Sequence, residues 1–558
     1  MASYSEAAKT SGPKTITEIA LEMGLFADDL ALYGPYKAKV SPAVLDKRKP
    51  KGKYVVVTSM TPAPREPDLT TATAASLGMA LFRLGHRAAI ALRQLSLDPL
   101  LHLPVGGPRP IFSQLIPAEE ILLHLTGDMH AVAFAHNLLA ASVDSLLRNG
   151  NDLQLDLNSI SWSRVTEFQD PSLRQVVIGL GRENGAVTRE SSFETVSSSQ
   201  LMAILALASS IFDLKERIGR IVIGNSRTGH PITVNDLNLA GTVAALLQEA
   251  LAPNLVQTSE NSPAFVHTHT PGVAGIGSSS ILADRMALAL NDYVVSESPF
   301  GTDIGMERFF DIKCRVSGLT PDAVVLVASI RGLKFHGGSQ VPQADQPMKE
   351  DVRAVEKGCE NLIKHIENAN LFGVPVIVAV TSNPADADRE MAFVERVTRI
   401  AGAEGAFVTH VGPRGGSGAI SLAEAVVHVC KKGSSFKFLY APELPLRDKI
   451  ERIAEKVFGA SGVDYGPQAE AALDRLNELG YGKLPVCMIK TPFSLSHDQR
   501  LRGRPRRYQL PVLDAYANPG AGYVSAVCNT PGAMQPAHVP PLSPRLDIGE
   551  NGEIVMRG

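Results

Sequence analysis

Three side chains can carry acid–base or anion-binding chemistry. Arg93 follows a short apolar run, and a guanidinium can hold a small planar or tetrahedral anion through paired hydrogen bonds. Asp128 and His130 stand two positions apart, and a histidine beside a carboxylate can relay a proton near neutral pH. Each has a structural alternative, which is a surface salt bridge for Arg93 and a buried polar pair that holds a loop for Asp128 and His130.

Two further features involve rings. Phe300 can offer an aromatic platform to a flat heterocycle, although a single phenylalanine more often packs in a core. His267 and His269 have a spacing that can place both imidazoles on one side of a strand, as in some zinc sites. No third ligand is recognisable near them in the sequence, and we predict no metal site.

The elements that must position these side chains alternate between strand and helix. The β-branched run Tyr54–Thr58 predicts a buried strand, and a proline-rich loop and an amphipathic helix over about 70–84 follow it. A second strand is predicted at Ala88–Leu92. Strand, loop, helix and strand in this order form the unit of a parallel α/β sheet, whose ligands collect beyond the carboxyl ends of the strands.

The alternation continues to about residue 435 and sets the predicted domains. Thr15 and Glu18 form a capping box at the start of a first helix. A chain of 558 residues is too long for one ordinary domain. We predict a large α/β domain over 1–358, a second α/β domain over 359–510 and a small β-rich lobe over 511–558. Further strands are expected at Val176–Ile178, Arg220–Ile223, Tyr293–Val295, Ala323–Ala328 and Val374–Val380, and helices at Gln200–Ile218, Leu239–Leu251 and Val352–Asn368.

Composition excludes several classes of protein. Lys and Arg total 54 against 57 Asp and Glu, so the formal net charge is only -3, which favours neither nucleic acid nor an anionic membrane as a partner. The five cysteines are far apart and form no Cys-x-x-Cys pair, which indicates neither a disulfide scaffold nor a cysteine zinc site. The N-terminal stretch lacks the apolar segment of a secretory signal, and we expect a cytoplasmic location.

Eight segments together resemble the formate–tetrahydrofolate ligase family, in family order from about residue 15 onward. They are Tyr36–Lys39, Ile90–Arg93, Leu123–His130, Asn254–Thr258, Pro263–His267, Phe309–Cys314, Leu333–Gly338 and Leu484–Met488. The resemblance implies a P-loop-NTPase-like large domain with a parallel sheet. It also implies the synthesis of 10-formyltetrahydrofolate from ATP, formate and tetrahydrofolate, and assembly as a homo-oligomer, either a tetramer or a dimer.

The phosphate-binding loop departs from the family pattern. The family sequence is approximately TPTPAGEGKTT, whereas residues 61–71 read TPAPREPDLTT. Glu66 and Asp68 replace the two glycines, Leu69 replaces the lysine, and a proline at position 67 removes a backbone donor. Thr70 and Thr71 remain as the nucleotide-binding positions of a degenerate site. We expect ATP and Mg²⁺ to bind weakly or not at all.

The resemblance also implies roles for the residues singled out above. Arg93 matches the family arginine that binds formyl phosphate, and Phe300 matches an aromatic that stacks on the pterin. Gly412 stands where the family has its second stacking residue, a tryptophan. Asp386 falls in the segment that aligns with a folate-binding loop. Asp128 and His130 belong to a retained Thr-Gly-Asp-x-His segment and are the candidate acid–base element.

The favoured hypothesis is a folate one-carbon protein whose ATP half-site has decayed and whose ligase activity is weak or lost. Its partners are expected to be folate and formate or a related anion. Three alternatives remain open at this point. They are a working ligase with an altered loop, an ATP-independent formyl-tetrahydrofolate hydrolase or transferase, and a catalytically silent subunit that pairs with an intact paralogue.

Overall fold

A computed structural model describes most of the chain. The described residues are 12–64, 66, 68–94, 114–167, 170–181, 187–270, 275–340, 348–382, 386–411, 414–529, 546–552 and 554–556. The strands are β1 Leu30–Leu32, β2 Ala38–Val40, β3 Lys53–Ser59, β4 Ala88–Leu92, β5 Leu115–Ile116, β6 Arg164–Thr166, β7 Val176–Ile178, β8 Arg189–Ser191, β9 Phe193–Thr195, β10 Val222–Asn225, β11 Pro231–Thr233, β12 Asn254–Thr258, β13 Pro263–Val266, β14 Tyr293–Glu297, β15 Ala323–Ser329, β16 Val376–Thr381, β17 Ala406–Thr409, β18 Gly462–Tyr465, β19 Val486–Ile489, β20 Gln509–Val512, β21 Asp514–Asn518, β22 Tyr523–Val527, β23 Leu546–Ile548 and β24 Ile554–Met556.

The α-helices lie between these strands. They are Ile16–Glu22, Val44–Lys47, Leu69–Arg83, Ala118–Leu123, Asp128–Arg148, Gln200–Leu207, Ile211–Gly219, Ala240–Leu246, Ile281–Leu290, Arg315–Ser317, Ile330–His336, Val352–Leu371, Asp388–Ile400, Ile420–Lys432, Leu446–Ile453 and Pro467–Glu478. Within the described part of the chain, no helix combines the length and the apolar character needed to cross a bilayer.

A mostly parallel sheet forms the centre of the molecule. Its strands follow the order β1-β2-β12-β13-β4-β14-β3-β15-β16-β17, and β5 pairs with β12. The strands from β13 to β17 in this order run parallel, and β1, β2 and β12 form an antiparallel margin. This architecture confirms the predicted α/β class with a parallel central sheet.

Both faces of β3 are buried, because helices cover the sheet on both sides. Val55 and Val57 pack in the apolar cluster that contains the helix Leu69–Arg83, whereas Tyr54 and Val56 belong to the cluster on the opposite face. Alternate residues of a strand point to opposite faces, so a strand covered on both sides must be apolar throughout. This requirement explains the uninterrupted Tyr-Val-Val-Val run.

Local patterns predicted several elements with the right bounds. The strand Ala88–Leu92 and the capping box of Thr15 and Glu18 are confirmed. One continuous helix over Gln200–Ile218 was wrong, because the chain breaks at 208–210 and a second helix begins at Ile211. The hydroxyl of Ser210 accepts a hydrogen bond from the Asp213 amide at 3.1 Å, and this cap starts the second helix.

The C-terminal part is rich in short strands. β19, β22 and β21 form one sheet, and β18 pairs with β20. The division of the chain at residues 358 and 510 stays a prediction. The helix Val352–Leu371 spans the first of these positions, and β15 and β16 on either side of it pair in the central sheet.

Candidate functional site

The chain segments that follow five adjacent parallel strands meet at one edge of the central sheet. β4, β14, β3, β15 and β16 are neighbours, and their last residues are Leu92, Glu297, Ser59, Ser329 and Thr381. Ligands of α/β proteins collect beyond the carboxyl ends of such strands. The loop after β3 and the predicted residue Arg93 both lie at this edge.

Asp68 caps the helix that follows the loop. Its Oδ1 accepts hydrogen bonds from the backbone amides of Thr70 and Thr71 at 3.1 and 3.2 Å. The hydroxyl of Thr71 lies 3.0 Å from Asp68 Oδ2. The N-terminus of a helix presents unpaired amides and a partial positive charge to an anion. Here the anion is a carboxylate of the chain itself.

Arg93 is held between two carboxylates. Its Nη2 donates to Asp68 Oδ2 at 2.8 Å, and Nη1 lies 3.3 Å from Glu297 Oε2. The backbone amide of Arg93 donates to Glu297 Oε1 at 2.8 Å. The hydroxyl of Thr71 also donates to Glu297, so Asp68, Thr71, Arg93 and Glu297 form a closed ring of contacts.

Burial and charge act in opposite directions on these groups. Burial raises the pKa of the Glu297 carboxyl, and the Arg93 guanidinium opposes this rise. Burial by itself lowers the pKa of Arg93, but the carboxylates of Glu297 and Asp68 raise it above its usual value. The arginine therefore stays charged, and its charge is balanced inside the ring.

The side chain of Glu66 forms a hydrogen bond within the loop. Its carboxylate accepts hydrogen bonds from the Ser329 hydroxyl and, at 3.0 Å, from the Ala63 amide. Loss of hydration raises the pKa of Glu66, against the opposing effect of these two hydrogen bonds. A second acidic side chain thus uses a backbone amide of the loop, a group that a phosphate loop offers to its nucleotide.

Asp128 and His130 are not brought together. Asp128 is buried in the first turn of the helix Asp128–Arg148, where it pairs with Lys39 at 2.7 Å and accepts from Asn254 at 2.9 Å. His130 is half exposed, and its Nε2 lies 2.8 Å from Nδ1 of His124. Positions i and i+2 of a helix do not face each other, which explains why the two side chains diverge.

Phe300 lies in a turn just beyond β14 and has an unusual backbone. Its φ is +68° and that of Gly301 is +86°. A bulky residue in the left-handed region is strained, and such strain is concentrated at functional sites. Asp386 lies between β16 and the helix Asp388–Ile400. Gly412, which is predicted to align with the family tryptophan, lies outside the described residues.

The two neighbouring histidines have different partners. His267 is fully buried between the Ser280 hydroxyl and the Ala250 carbonyl, at 2.6 and 2.7 Å. Nδ1 of His269 contacts the Gln94 carbonyl at 2.5 Å. Burial lowers the pKa of each imidazole to about 4. Among the residues with described positions, no group of three His, Cys, Asp or Glu side chains is arranged to hold a metal ion.

Sequence reasoning missed Glu297, the second partner of Arg93. The sequence feature that could have identified Glu297 is a carboxylate at the end of an apolar strand, three positions before Phe300. It also missed Lys39, which balances Asp128. Only the strand order shows that these residues, distant in sequence, are neighbours.

The fold and this edge define an α/β protein with a strand–loop–helix turn at the carboxyl ends of a parallel sheet. A family model described as formate–tetrahydrofolate ligase matches residues 2–556. The chain is 44% identical to the formate–tetrahydrofolate ligase of Roseiflexus sp. (strain RS-1), with 100% of both chains covered. It is 43% identical to formate–tetrahydrofolate ligase 3 of Rubrobacter xylanophilus, with 97% of both covered, and 42% identical to the Roseiflexus castenholzii ligase, with 99% of both covered. The chain belongs to the formate–tetrahydrofolate ligase family.

Proposed function

We propose that this chain is a folate one-carbon protein in which the ATP half-site has decayed and ligase activity is weak or lost. The observation that carries the proposal is the position of Asp68. Its carboxylate already accepts hydrogen bonds from the two helix amides and the guanidinium that an anionic ligand at this turn would use. A phosphate has to displace Asp68 before it can use any of them.

Electrostatics opposes that displacement. Glu66 and Asp68 lie in the loop itself, and Leu69 offers no positive charge in place of the family lysine. Two like charges ~4 Å apart repel by about 1 kcal/mol in water and by about 4 kcal/mol near a protein surface. A nucleoside triphosphate carries several negative charges, whereas formate carries one. Arg93 is the proposed contact for formate or a related anion.

Calorimetric titration with MgATP tests the decayed half-site. We expect the wild-type dissociation constant to be millimolar or weaker. Asp68→Asn removes one repulsive charge and keeps the side-chain shape, so it should bind MgATP more tightly. Asp498→Asn removes an acidic side chain next to Arg500 instead and serves as the matched control. Micromolar binding by the wild type would favour a working ligase with an altered loop.

The folate half of the proposal depends on Phe300. A stacked aromatic contributes roughly 1–3 kcal/mol per ring in nucleic-acid sites, and the same scale is applied here to a pterin. Phe300→Ala should therefore weaken tetrahydrofolate binding by tenfold or more in a fluorescence titration. Phe300→Gly removes the ring and also relieves the strained backbone, so it should lose folate binding without losing stability. Gly412→Trp should tighten binding. No saturable binding by the wild type contradicts the proposal.

We also propose a cytoplasmic homo-oligomer, a tetramer or a dimer, with folate and formate as its small-molecule partners. The support is the family membership and the near-complete overlap with ligases along the whole chain. Light scattering coupled to size-exclusion chromatography measures the mass of the particle. A monomer at micromolar concentration contradicts this part of the proposal.

A further inference from the structure

Thr61, the second residue after β3, is held by three buried side chains. Its amide donates to Nε2 of His365 at 2.9 Å, and its carbonyl accepts from Nε2 of His336 at 2.9 Å. Nδ2 of Asn361 donates to its hydroxyl at 3.0 Å. The start of the loop is thus fixed through the amide, the carbonyl and the hydroxyl of one residue.

His365 also reaches the turn that carries Phe300. Because its Nε2 accepts from the Thr61 amide, the ring proton of the neutral imidazole is on Nδ1, and Nδ1 lies 2.7 Å from the hydroxyl of Thr302. Gly301 lies against the same ring, and a Cβ at this position would be 3.2 Å from Cε1 of His365. One imidazole therefore joins the loop after β3 to the turn after β14.

His336 and Asn361 extend the contacts to a third segment. The amide of Gly503 donates to Nδ1 of His336 at 3.2 Å, and its carbonyl accepts from Asn361 at 2.8 Å. Both ring nitrogens of each histidine have a hydrogen-bond partner, and Nε2 of His365 also lies 2.9 Å from the Thr61 hydroxyl. Neither ring can rotate without breaking its bonds to two segments at the same time.

We propose that His365 is a positioning residue that couples the two half-sites, so that the loop at Thr61 and the turn at Phe300 become ordered together. His336 and Asn361 fasten this unit to the segment at Gly503. The inference rests on the proposed function in one respect, which is that the turn at Phe300 is taken to bind folate. It predicts that a change at Thr302 alters hydrogen exchange at Thr61, because His365 hydrogen-bonds to both residues.

Hydrogen exchange measured by mass spectrometry on the unliganded full chain tests the coupling. Thr302→Val keeps the side-chain volume and removes the hydroxyl that the His365 ring contacts. We expect the amide of Thr61, in a peptide covering residues 59–64, to exchange roughly tenfold faster or more. Thr302→Ser restores a hydroxyl and should bring the rate back toward that of the wild type.

A second variant and a matched control complete the experiment. His365→Phe fills the ring volume without nitrogen atoms and should accelerate exchange in peptides over 59–64 and 298–303 together. His136→Phe changes another buried histidine, which contacts Ser199 and the Ser163 carbonyl, and should leave both peptides unchanged. Unaltered exchange at Thr61 in folded Thr302→Val overturns the proposal. The experiment uses no folate, so failed folate binding would not affect its outcome.

Discussion

At the scale of single residues, several buried charges of this protein are balanced in pairs. Lys313 pairs with Asp284 at 2.5 Å, Lys490 with Asp303 at 2.7 Å, and each of these side chains is almost completely buried. A buried pair of this kind adds little net stability, but the loss of one partner leaves an uncompensated charge. The ring around Arg93 also depends on its cation, because a single guanidinium there contacts two carboxylates.

Arg93→Ala should therefore lower the free energy of unfolding by about 3–5 kcal/mol, the usual effect of removing one member of a buried ion pair. Asp68 and Glu297 would then face each other without a cation. Arg93→Lys should recover part of the loss, because an ammonium keeps the charge but not the planar contacts. Urea denaturation followed by circular dichroism measures both changes.

Arg500 provides the control for this prediction. Its side chain is 87% exposed and pairs with Asp498 at the surface. Arg500→Ala should leave the urea midpoint unchanged, because water screens exposed pairs. An equal fall in both alanine variants would mean that the ring around Arg93 has no special role in stability.

At the scale of elements, two helices approach each other closely and thereby bring together the side chains that hold Thr61. A Cβ on Gly337, which ends the helix Ile330–His336, would lie 1.8 Å from the carbonyl oxygen of Ala354. A Cβ on Gly358 would lie 1.9 Å from that of Leu333. Only glycine permits this contact, which brings the side chain of His336 close to those of Asn361 and His365.

Gly358→Ala should push these helices apart and destabilise the protein by about 1–3 kcal/mol, the usual cost of overpacking. The melting temperature in a calorimetric scan reports the change. Gly241→Ala is the matched control, because Gly241 is at an exposed position of its helix, where a Cβ would have its nearest neighbour, Lys215, at 3.8 Å. It should be neutral or stabilising by up to about 1 kcal/mol. Equal melting temperatures for the two variants would contradict the close-packing explanation.

At the scale of the whole molecule, burial keeps five of the histidines in the described part of the chain neutral. Burial lowers the pKa of each to about 4, and the residues are His136, His267, His269, His336 and His365. In the unfolded chain these imidazoles take up protons near pH 6.5. Their contribution to stability is complete above pH 6.5 and is lost as the pH falls toward 4. Asp311, whose pKa burial raises to about 7, acts in the opposite direction.

Replacing one of these histidines should therefore reduce the number of protons taken up on unfolding, and with it the pH dependence of stability. Between pH 6 and 4.5, wild-type unfolding takes up as much as one more proton than that of His136→Phe. The slope of unfolding free energy against pH should differ by about 1.4 kcal/mol per pH unit at most. Urea titrations at four pH values measure both slopes. Parallel slopes would mean that His136 is already protonated in the folded protein.

The sequence by itself determined the elements whose signal is local. The run Tyr54–Thr58, the strand Ala88–Leu92 and the capping box at Thr15 were predicted because burial on both faces and helix capping each leave a short-range pattern. β12 was not predicted as a strand, since its buried polar residues Asn254 and Gln257 interrupt the apolar run. The family could also be recognised, because many short segments kept their order and spacing.

Only the tertiary structure decided which charges meet at the site. Arg93 and Glu297 are separated by 204 positions, and the insertion of β14 between β4 and β3 brings them together. The sequence predicted that Asp68 and Glu66 disturb a phosphate loop, but not that each accepts hydrogen bonds from backbone amides of the loop or of the helix that follows it. Hydrogen bonds and charge pairing act over a few ångströms in space, and the order of strands, which no local pattern encodes, sets those distances.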